Sequence, residues 1–157
     1  MKSLSINIPI AVYAYDELSD LDKRLVDEAR KATLRAYAPY SKFNVGAAIA
    51  LDNGEIVTGA NQENVAYPSG TCAERTACYY AHAQFPEAKF RTIAIAARGT
   101  DGVELNAPIS PCGACRQALL EYEILAEHDV RVILASANDI YIISSVSQLL
   151  PLAFSSF

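Results

Sequence analysis

Residues 43–59, with the sequence FNVGAAIALDNGEIVTG, contain two strand-like runs separated by a turn. The first run, from Phe43 to Leu51, is almost entirely apolar, which is typical of a strand buried inside a sheet. Asp52-Asn53-Gly54 is a hairpin turn signal, so residues 55–59 are predicted to return as a second strand. A β-hairpin at this point indicates that a sheet forms the centre of the fold.

Helical and strand-like segments alternate on both sides of this hairpin. Ser19 and Asp22 form a helix-capping signal, after which apolar residues recur with helical spacing until Pro39. Residues 5–15 alternate loosely between apolar and polar side chains, which is compatible with an extended arm or an edge strand. The remaining predicted elements are helices over residues 73–84 and 113–122, strands over residues 90–97, 130–135 and 140–143, and a last helical turn over residues 147–150. This order predicts an α/β fold, a three-layer α-β-α sandwich with a mixed five-stranded sheet.

Length and composition limit the classes of protein to consider. The 157 residues are expected to form a single domain, in which residues 1–17 are an N-terminal extension without an assigned role. A hydrophobic content of 52% excludes a disordered chain, and a net charge of −5 argues against a nucleic-acid-binding protein. No apolar run approaches the roughly 18 residues of a membrane span. Because Ser5, Asn7 and Pro9 interrupt the N-terminal apolar stretch, a signal peptide is not expected, and a cytoplasmic location is predicted.

Three of the four cysteines have a spacing that is typical of metal ligands. Cys72 begins the second predicted helix, and Cys112 and Cys115 form a Cys-x-x-Cys pair at the start of the third. Thiolates at helix N-termini are stabilised by free backbone N–H groups and by the helix dipole. A catalytic zinc ion has three protein ligands and one open position. In a cytoplasmic chain the three cysteines therefore predict one catalytic zinc per chain rather than disulfides.

Glu74 follows Cys72 by two residues, in the first turn of the same predicted helix. Its carboxylate can lie beside the open position of the metal without binding the metal. The alternative interpretations of the cysteines are a redox-active Cys-x-x-Cys pair or a structural zinc site. Cys78 is predicted to be a buried core cysteine, and His82 lies about 15 Å along the helix from the first ligand. His128 is predicted at the surface, so neither histidine is expected to bind the metal.

The joint pattern Cys-Ala-Glu and Pro-Cys-Gly-Ala-Cys matches the signature of zinc deaminases, with cysteine in place of the first histidine. Five motifs over residues 34–154 resemble the small, homotetrameric, three-cysteine cytidine deaminases. These motifs are YSKFNVGAA from residue 40, GANQEN from residue 59, YPSGTCAERTA from residue 67, SPCGACRQ from residue 110 and LLPLAF from residue 149. Because all five occur in order, the chain is identified by resemblance as a member of that family.

The resemblance implies hydrolytic deamination of cytidine and deoxycytidine to uridine and deoxyuridine, with release of ammonia, in pyrimidine salvage. It implies zinc held by Cys72, Cys112 and Cys115, with Glu74 as the catalytic proton carrier. It also implies a homotetramer that acts on small nucleosides and has no nucleic-acid or membrane partner. The residues implied to bind the nucleoside are Phe43, Asn61, Glu63, Tyr67, Ala73 and Phe154. Phe154 would reach a neighbouring subunit's pocket, with Phe157 as the alternative tail aromatic.

Two arginines directly follow the predicted site residues: Arg75 after Glu74, and Arg116 after Cys115. Zn²⁺ with three thiolates carries a net charge of −1, which would weaken the metal as a Lewis acid. Hydrogen bonds from guanidinium groups to the thiolates would withdraw this charge. Both arginines are therefore predicted to donate to the thiolates. The alternative is that they are helix arginines paired with surface acids.

Other functions can be weighed against the same residues. A deaminase that edits nucleic acid requires a basic channel and aromatic platforms, whereas this chain has no Trp and no cluster of Lys and Arg. Deamination of a cytosine-bearing antibiotic would not require Asn61 and Glu63, whose side chains suit ribose hydroxyls. A zinc-stabilised binding module without activity would have no use for Glu74.

Overall fold

The structure, a computed structural model, describes residues 1–155, so Phe157 lies outside the described residues. The strands are β1 (Ala11–Tyr13), β2 (Phe43–Leu51), β3 (Ile56–Ala60), β4 (Phe90–Gly99), β5 (Arg131–Ala135) and β6 (Ile140–Ile143). The helices are α1 (Asp20–Ala32), α2 (Ala73–Gln84) and α3 (Gly113–Ala126), with 3-10 turns at Tyr15–Glu17, Thr33–Arg35, Tyr67–Ser69 and Val146–Leu149. None of these helices is both long enough and apolar enough to cross a membrane.

The six strands form one mixed sheet in the order β1-β6-β5-β4-β2-β3. β4 and β5 are parallel, and the other neighbouring pairs within residues 1–155 are antiparallel. β2 and β3 form the predicted hairpin, in which Ala50 pairs with Ile56 beside the turn. The predicted mixed sheet is therefore confirmed.

The sheet is covered on both faces, as the α-β-α prediction requires. Helix α1 packs on one face, where Leu25 and Ala29 are fully buried. Helices α2 and α3 pack on the other face, where Ala77 and Leu119 belong to a second buried cluster. Neighbouring residues of a strand alternate between the two clusters because successive side chains point to opposite faces.

Residues 1–155 contain six strands, so the predicted five is wrong by one. The additional strand, β1, comes from the N-terminal extension and pairs antiparallel with β6, with Val12 opposite Tyr141. Tyr15 fixes the extension to α1, because its hydroxyl donates a 2.9 Å hydrogen bond to Asp27 Oδ2. The periodicity of residues 5–15 did not distinguish an extended arm from an edge strand, because the partner strand β6 lies more than a hundred residues away in sequence.

Helix α1 begins at its predicted cap, where the Ser19 side chain accepts a hydrogen bond from Asp22 N. It ends at Ala32, before Pro39, and continues only as a 3-10 turn. The Thr33 hydroxyl donates a 2.6 Å hydrogen bond to Arg30 O. Such bonds from a threonine side chain compete with the backbone hydrogen bonds of a helix, so threonine is disfavoured inside helices. The helix therefore stops short of the predicted boundary.

Helix α2 lies very close to β3, and this contact sets the position of its first turn. A Cβ atom at Gly59 would lie 2.5 Å from Ala77 N and 2.7 Å from Ala73 O. Only glycine permits so close an approach of the helix backbone to the strand. The start of α2 is thereby held at the end of β3, close to the chain that leaves this strand.

Candidate functional site

The thiols of three cysteines converge between the starts of α2 and α3. Cys72 is the N-cap residue of α2, Cys112 is the N-cap residue of α3, and Cys115 lies in the first turn of α3. Cys72 Sγ lies 3.9 Å from Cys112 Sγ, which lies 3.5 Å from Cys115 Sγ. All three sulfur atoms lie within 4.8 Å of one another.

This spacing fits a zinc ion. A tetrahedral zinc with Zn–S bonds of about 2.3 Å separates its sulfur ligands by about 3.8 Å. Cys72 is half-buried, Cys112 is exposed and Cys115 is buried, so the cluster lies at the boundary of the core and is open on one side. Within residues 1–155 these three cysteines are the group of His, Cys, Asp and Glu side chains that could hold a metal.

Glu74 lies in the first turn of α2, beside the three thiols, and only 4% of it is exposed. Burial raises the pKa of the Glu74 carboxyl above its ordinary value, and the neighbouring Cys72 acts in the same direction. A carboxyl group with a raised pKa takes up a proton more readily than an exposed carboxyl group does. The geometry therefore allows Glu74 to act as a proton carrier at the metal.

Arg75 points back at the first thiol. Its Nη2 donates a 3.5 Å hydrogen bond to Cys72 Sγ, which is the contact that sequence reasoning predicted for this arginine. Hydrogen bonds from the Cys115 thiol and from the Arg75 guanidinium together lower the pKa of Cys72 to about 5. Cys72 is thus held as the thiolate that a metal requires.

Arg116 does not take the predicted position against a thiolate. Its Nε and Nη1 donate to the carbonyl oxygens of Pro111 and Leu149, each at 2.9 Å, and its Nη2 donates to Ser110 Oγ at 2.8 Å. Two of these three acceptors belong to the loop directly before Cys112. The structure therefore corrects the prediction: Arg116 holds the segments around the cluster rather than a sulfur atom.

A cleft of about 640 Å³ opens over the thiols and Glu74. Its lining residues include the predicted Phe43, Asn61, Glu63, Tyr67 and Ala73 together with Cys72, Glu74, Arg75 and Cys112. The lining residues that sequence reasoning did not single out include Tyr40, Ser41, Gln62, Asn64, Thr71, Ile109 and Ser110. These missed residues lie inside or directly beside the quoted motifs, so proximity to the motif residues was the available signal.

Asn61 and Glu63 lie on the chain that leaves β3 and face the cleft. The Asn61 amide accepts from Val45 N at 2.8 Å and donates to Phe43 O at 2.9 Å. One N–H and one lone pair of the amide remain available for a ligand. The Glu63 carboxylate accepts from Tyr40 N at 2.8 Å, and a hydrogen bond from Ser41 lowers its pKa.

The remaining predicted nucleoside residues have different surroundings. Phe43 packs at the edge of the core cluster under α2 and α3, and Ala73 is fully buried in the first turn of α2. Tyr67 is exposed and stacks edge-on against Tyr40, with ring centroids 6.0 Å apart. Phe154 is 66% exposed and lies outside the residues that line this cleft, so its predicted contact requires a second chain.

The side chains predicted not to bind metal lie away from the three thiols. Cys78 is buried inside α2, where burial raises the pKa of its thiol to about 12. His82 packs against the ring of Tyr122. His128 is within 2.9 Å of the carbonyl oxygen of its neighbour Asp129.

Comparisons with known proteins agree on one family. The family model for the cytidine and deoxycytidylate deaminase zinc-binding region matches residues 19–127. A cytidine deaminase of Sporosarcina psychrophila is 41% identical over 133 residues, covering 85% of this chain and 90% of that protein. One from Halalkalibacterium halodurans is 40% identical over 83% of this chain and 91% of that protein. The crystal structure of cytidine deaminase from Burkholderia pseudomallei superposes with a TM-score of 0.71 at 37% identity, covering 87% of this chain and 100% of that chain.

Proposed function

Because this chain belongs to the cytidine deaminase family of zinc-dependent enzymes, we propose that it deaminates both cytidine and deoxycytidine. We propose that this reaction serves pyrimidine salvage in the cytoplasm. The products would be uridine and deoxyuridine, with one ammonia released and one water consumed per turnover. The observation that carries the proposal is the buried Glu74 beside three converging thiols at the bottom of the cleft.

Cys72, Cys112 and Cys115 would hold the zinc. Once bound, zinc supplies Lewis acidity, which lowers the pKa of a coordinated water from 15.7 to about 7. The Arg75 guanidinium offsets part of the negative charge of the thiolates through its bond to Cys72 Sγ, which preserves that acidity.

Glu74 would carry out the proton transfers. Its carboxylate would accept a proton from the water that attacks C4 of the cytosine ring and deliver this proton to ring N3. The addition makes C4 tetrahedral. Glu74 would then carry the second proton of the water to the exocyclic amino group, which leaves as ammonia while the C4–O bond becomes a carbonyl. Its burial keeps bulk water from competing for these protons.

Asn61 and Glu63 would hold the sugar. Both line the cleft, and an amide and a carboxylate can together donate to and accept from vicinal hydroxyls. Since each is already fixed by backbone hydrogen bonds, little side-chain entropy is lost on binding. Phe43 and Tyr67 would supply apolar contact area.

The direct test is turnover by the zinc-loaded enzyme. We expect loss of ultraviolet absorbance and stoichiometric ammonia release with cytidine and with deoxycytidine. Cytosine in single-stranded DNA should give no product, because the chain has a net charge of −5 and its sequence contains no cluster of Lys and Arg. Failure to release ammonia from either nucleoside would overturn the proposal.

Replacing Glu63 by alanine tests the sugar contact. We expect kcat/KM for cytidine to fall by about 100-fold, because a buried sugar hydroxyl loses its partner. The value for free cytosine, already very low, should change by less than about threefold. Equal losses on cytidine and cytosine would mean that Glu63 acts only by holding the Tyr40 loop. Glu55→Ala, which removes an exposed carboxylate beside the hairpin turn, is the matched control.

We further propose a homotetramer in which Phe154 completes the cleft of a neighbouring subunit. The support is that Leu152 and Phe154 are both exposed, and neighbouring exposed apolar side chains are typical of protein–protein contacts. We expect Phe154→Ala to raise KM by about tenfold or more, and light scattering of the wild type to give four chains. Val12 is exposed and lies outside the matched family region, so Val12→Ala should leave KM and the number of chains in the assembly unchanged. A fully active monomer would refute this assembly.

A further inference from the structure

Arg116 connects two segments that are distant in sequence. Its Nε and Nη2 bind Pro111 O and Ser110 Oγ, directly before Cys112. Its Nη1 binds Leu149 O, at the end of the last 3-10 turn. A single guanidinium therefore fixes both the loop that delivers Cys112 and the beginning of the C-terminal tail.

A neighbouring side chain makes a second connection to the tail. Gln117 Nε2 donates a 2.9 Å hydrogen bond to Phe154 O. The tail between Leu149 and Phe154 is thus held at both ends by adjacent residues of α3. Gln117 does not bond to the loop before Cys112 in the described structure, so the two connections can be separated by mutation.

These contacts act on the residues directly before Cys112, whose own carbonyl oxygen accepts a 3.0 Å hydrogen bond from Arg116 N. Cys112 is exposed, and its side chain makes no capping bond to the helix that it begins. Pro111, before it, has no backbone N–H with which to fix the loop. The hydrogen bond from Arg116 to Pro111 O therefore restrains the residue next to Cys112. The planar guanidinium holds its donors at fixed angles, whereas the three donors of a lysine ammonium group rotate freely.

We propose that Arg116 is a positioning residue that couples zinc retention at Cys112 to the docking of the C-terminal tail. The proposal rests on the assignment of Cys112 as a zinc ligand. By linkage, zinc binding favours the docked tail, and a docked tail raises the zinc affinity. We expect the higher affinity to appear as slower zinc release, since most affinity differences lie in the dissociation rate. Because the tail carries Phe154, the binding or loss of zinc would alter the surface that a neighbouring chain is proposed to contact.

The test measures zinc release from the loaded enzyme to an excess of a chromogenic chelator. Arg116→Gln should release zinc about tenfold faster than the wild type, since three hydrogen bonds to the loop and tail are lost. Arg116→Lys should be intermediate. Arg24→Gln, the same change at an exposed arginine of α1, is the matched control and should stay within about twofold of the wild type.

Amide hydrogen exchange with and without zinc supplies the readout that a merely structural role would not move, because only the proposed coupling carries the loss of zinc to the tail. In zinc-loaded Arg116→Gln, the amides of Leu150 and Ala153 should exchange about tenfold faster, while those of Ile93 and Ile133 in the sheet keep their protection. Removing zinc from the wild type should have the same local effect. If removing zinc instead speeds exchange at Ile93 and Ile133 as much as in the tail, the zinc-release comparison alone decides whether the coupling exists.

Each outcome has one meaning. Wild-type zinc release by a folded Arg116→Gln enzyme would overturn the coupling, as would a tail whose exchange is the same in that variant. If Arg116→Gln does not fold, the same comparison is made with Arg116→Lys and Ser110→Ala, which remove part of the network. A wild-type chain that retains no zinc would instead refute the metal assignment on which the coupling rests.

Discussion

The Glu74→Gln enzyme is expected to lose about 10⁴-fold in kcat, while its zinc content and fold are retained. Glutamine has nearly the same shape as glutamate but cannot accept a proton from water or donate one to N3. Both transfers of the proposed reaction pass through this one carboxyl group, so no second residue of the cleft replaces it. The measurement is steady-state deamination of cytidine together with metal analysis.

The same substitution should have little effect on stability. The Glu74 carboxyl is almost fully buried, and burial raises its pKa, which means that the charged form is costly to the folded state. A neutral amide avoids that cost. We expect the free energy of unfolding to change by less than about 1 kcal/mol.

Glu123 provides a matched control, because it is also a buried glutamate, with 8% exposure. Its carboxylate accepts from Val146 N at 2.7 Å, Ser145 Oγ at 2.8 Å and Val130 N at 2.9 Å, and it lies outside the cleft. Glu123→Gln turns an N–H₂ group toward these donors and should cost about 2 kcal/mol of stability with kcat retained. Substantial activity in Glu74→Gln would remove Glu74 from the mechanism.

The sequence predicted the elements that carry the three thiols because their signals are local. The predicted bounds of α2, residues 73–84, are those observed, and α3 begins at Gly113 directly after Cys112. A cysteine at each helix start, apolar spacing behind it and a nearby Pro or Gly lie within one or two turns. Such patterns are visible without knowledge of the rest of the chain.

The partners of polar side chains were not predictable in this way. Arg116 has three guanidinium nitrogens, and neighbouring thiolates were reasonable acceptors, yet one partner is the carbonyl of Leu149, 33 residues away. Glu63 similarly binds the backbone of Tyr40, 23 residues earlier. The sixth strand was missed for the same reason, because β1 pairs with β6, which lies more than a hundred residues later in the sequence. Each of these depends on the folded arrangement rather than on local pattern.

Replacing Cys112 by alanine is expected to abolish zinc retention. Two of the three sulfur ligands would remain, and the zinc affinity should fall by more than about 100-fold, below what survives purification. Because zinc binds the folded chain, its loss should also remove the rise in Tm that added zinc gives the wild type. Zinc content per chain and Tm with and without added zinc are the measurements.

Cys78→Ala is the control that makes the result specific to the cluster. Cys78 lies on the same helix as Cys72, but it is buried in the core, and its Sγ lies 3.6 Å from Arg75 O rather than beside the other thiols. The same chemical change there should lower stability by about 1 kcal/mol and leave one zinc per chain. The ligand assignment is wrong if Cys112→Ala keeps its zinc, and the metal site would have to include Cys78 if Cys78→Ala loses it.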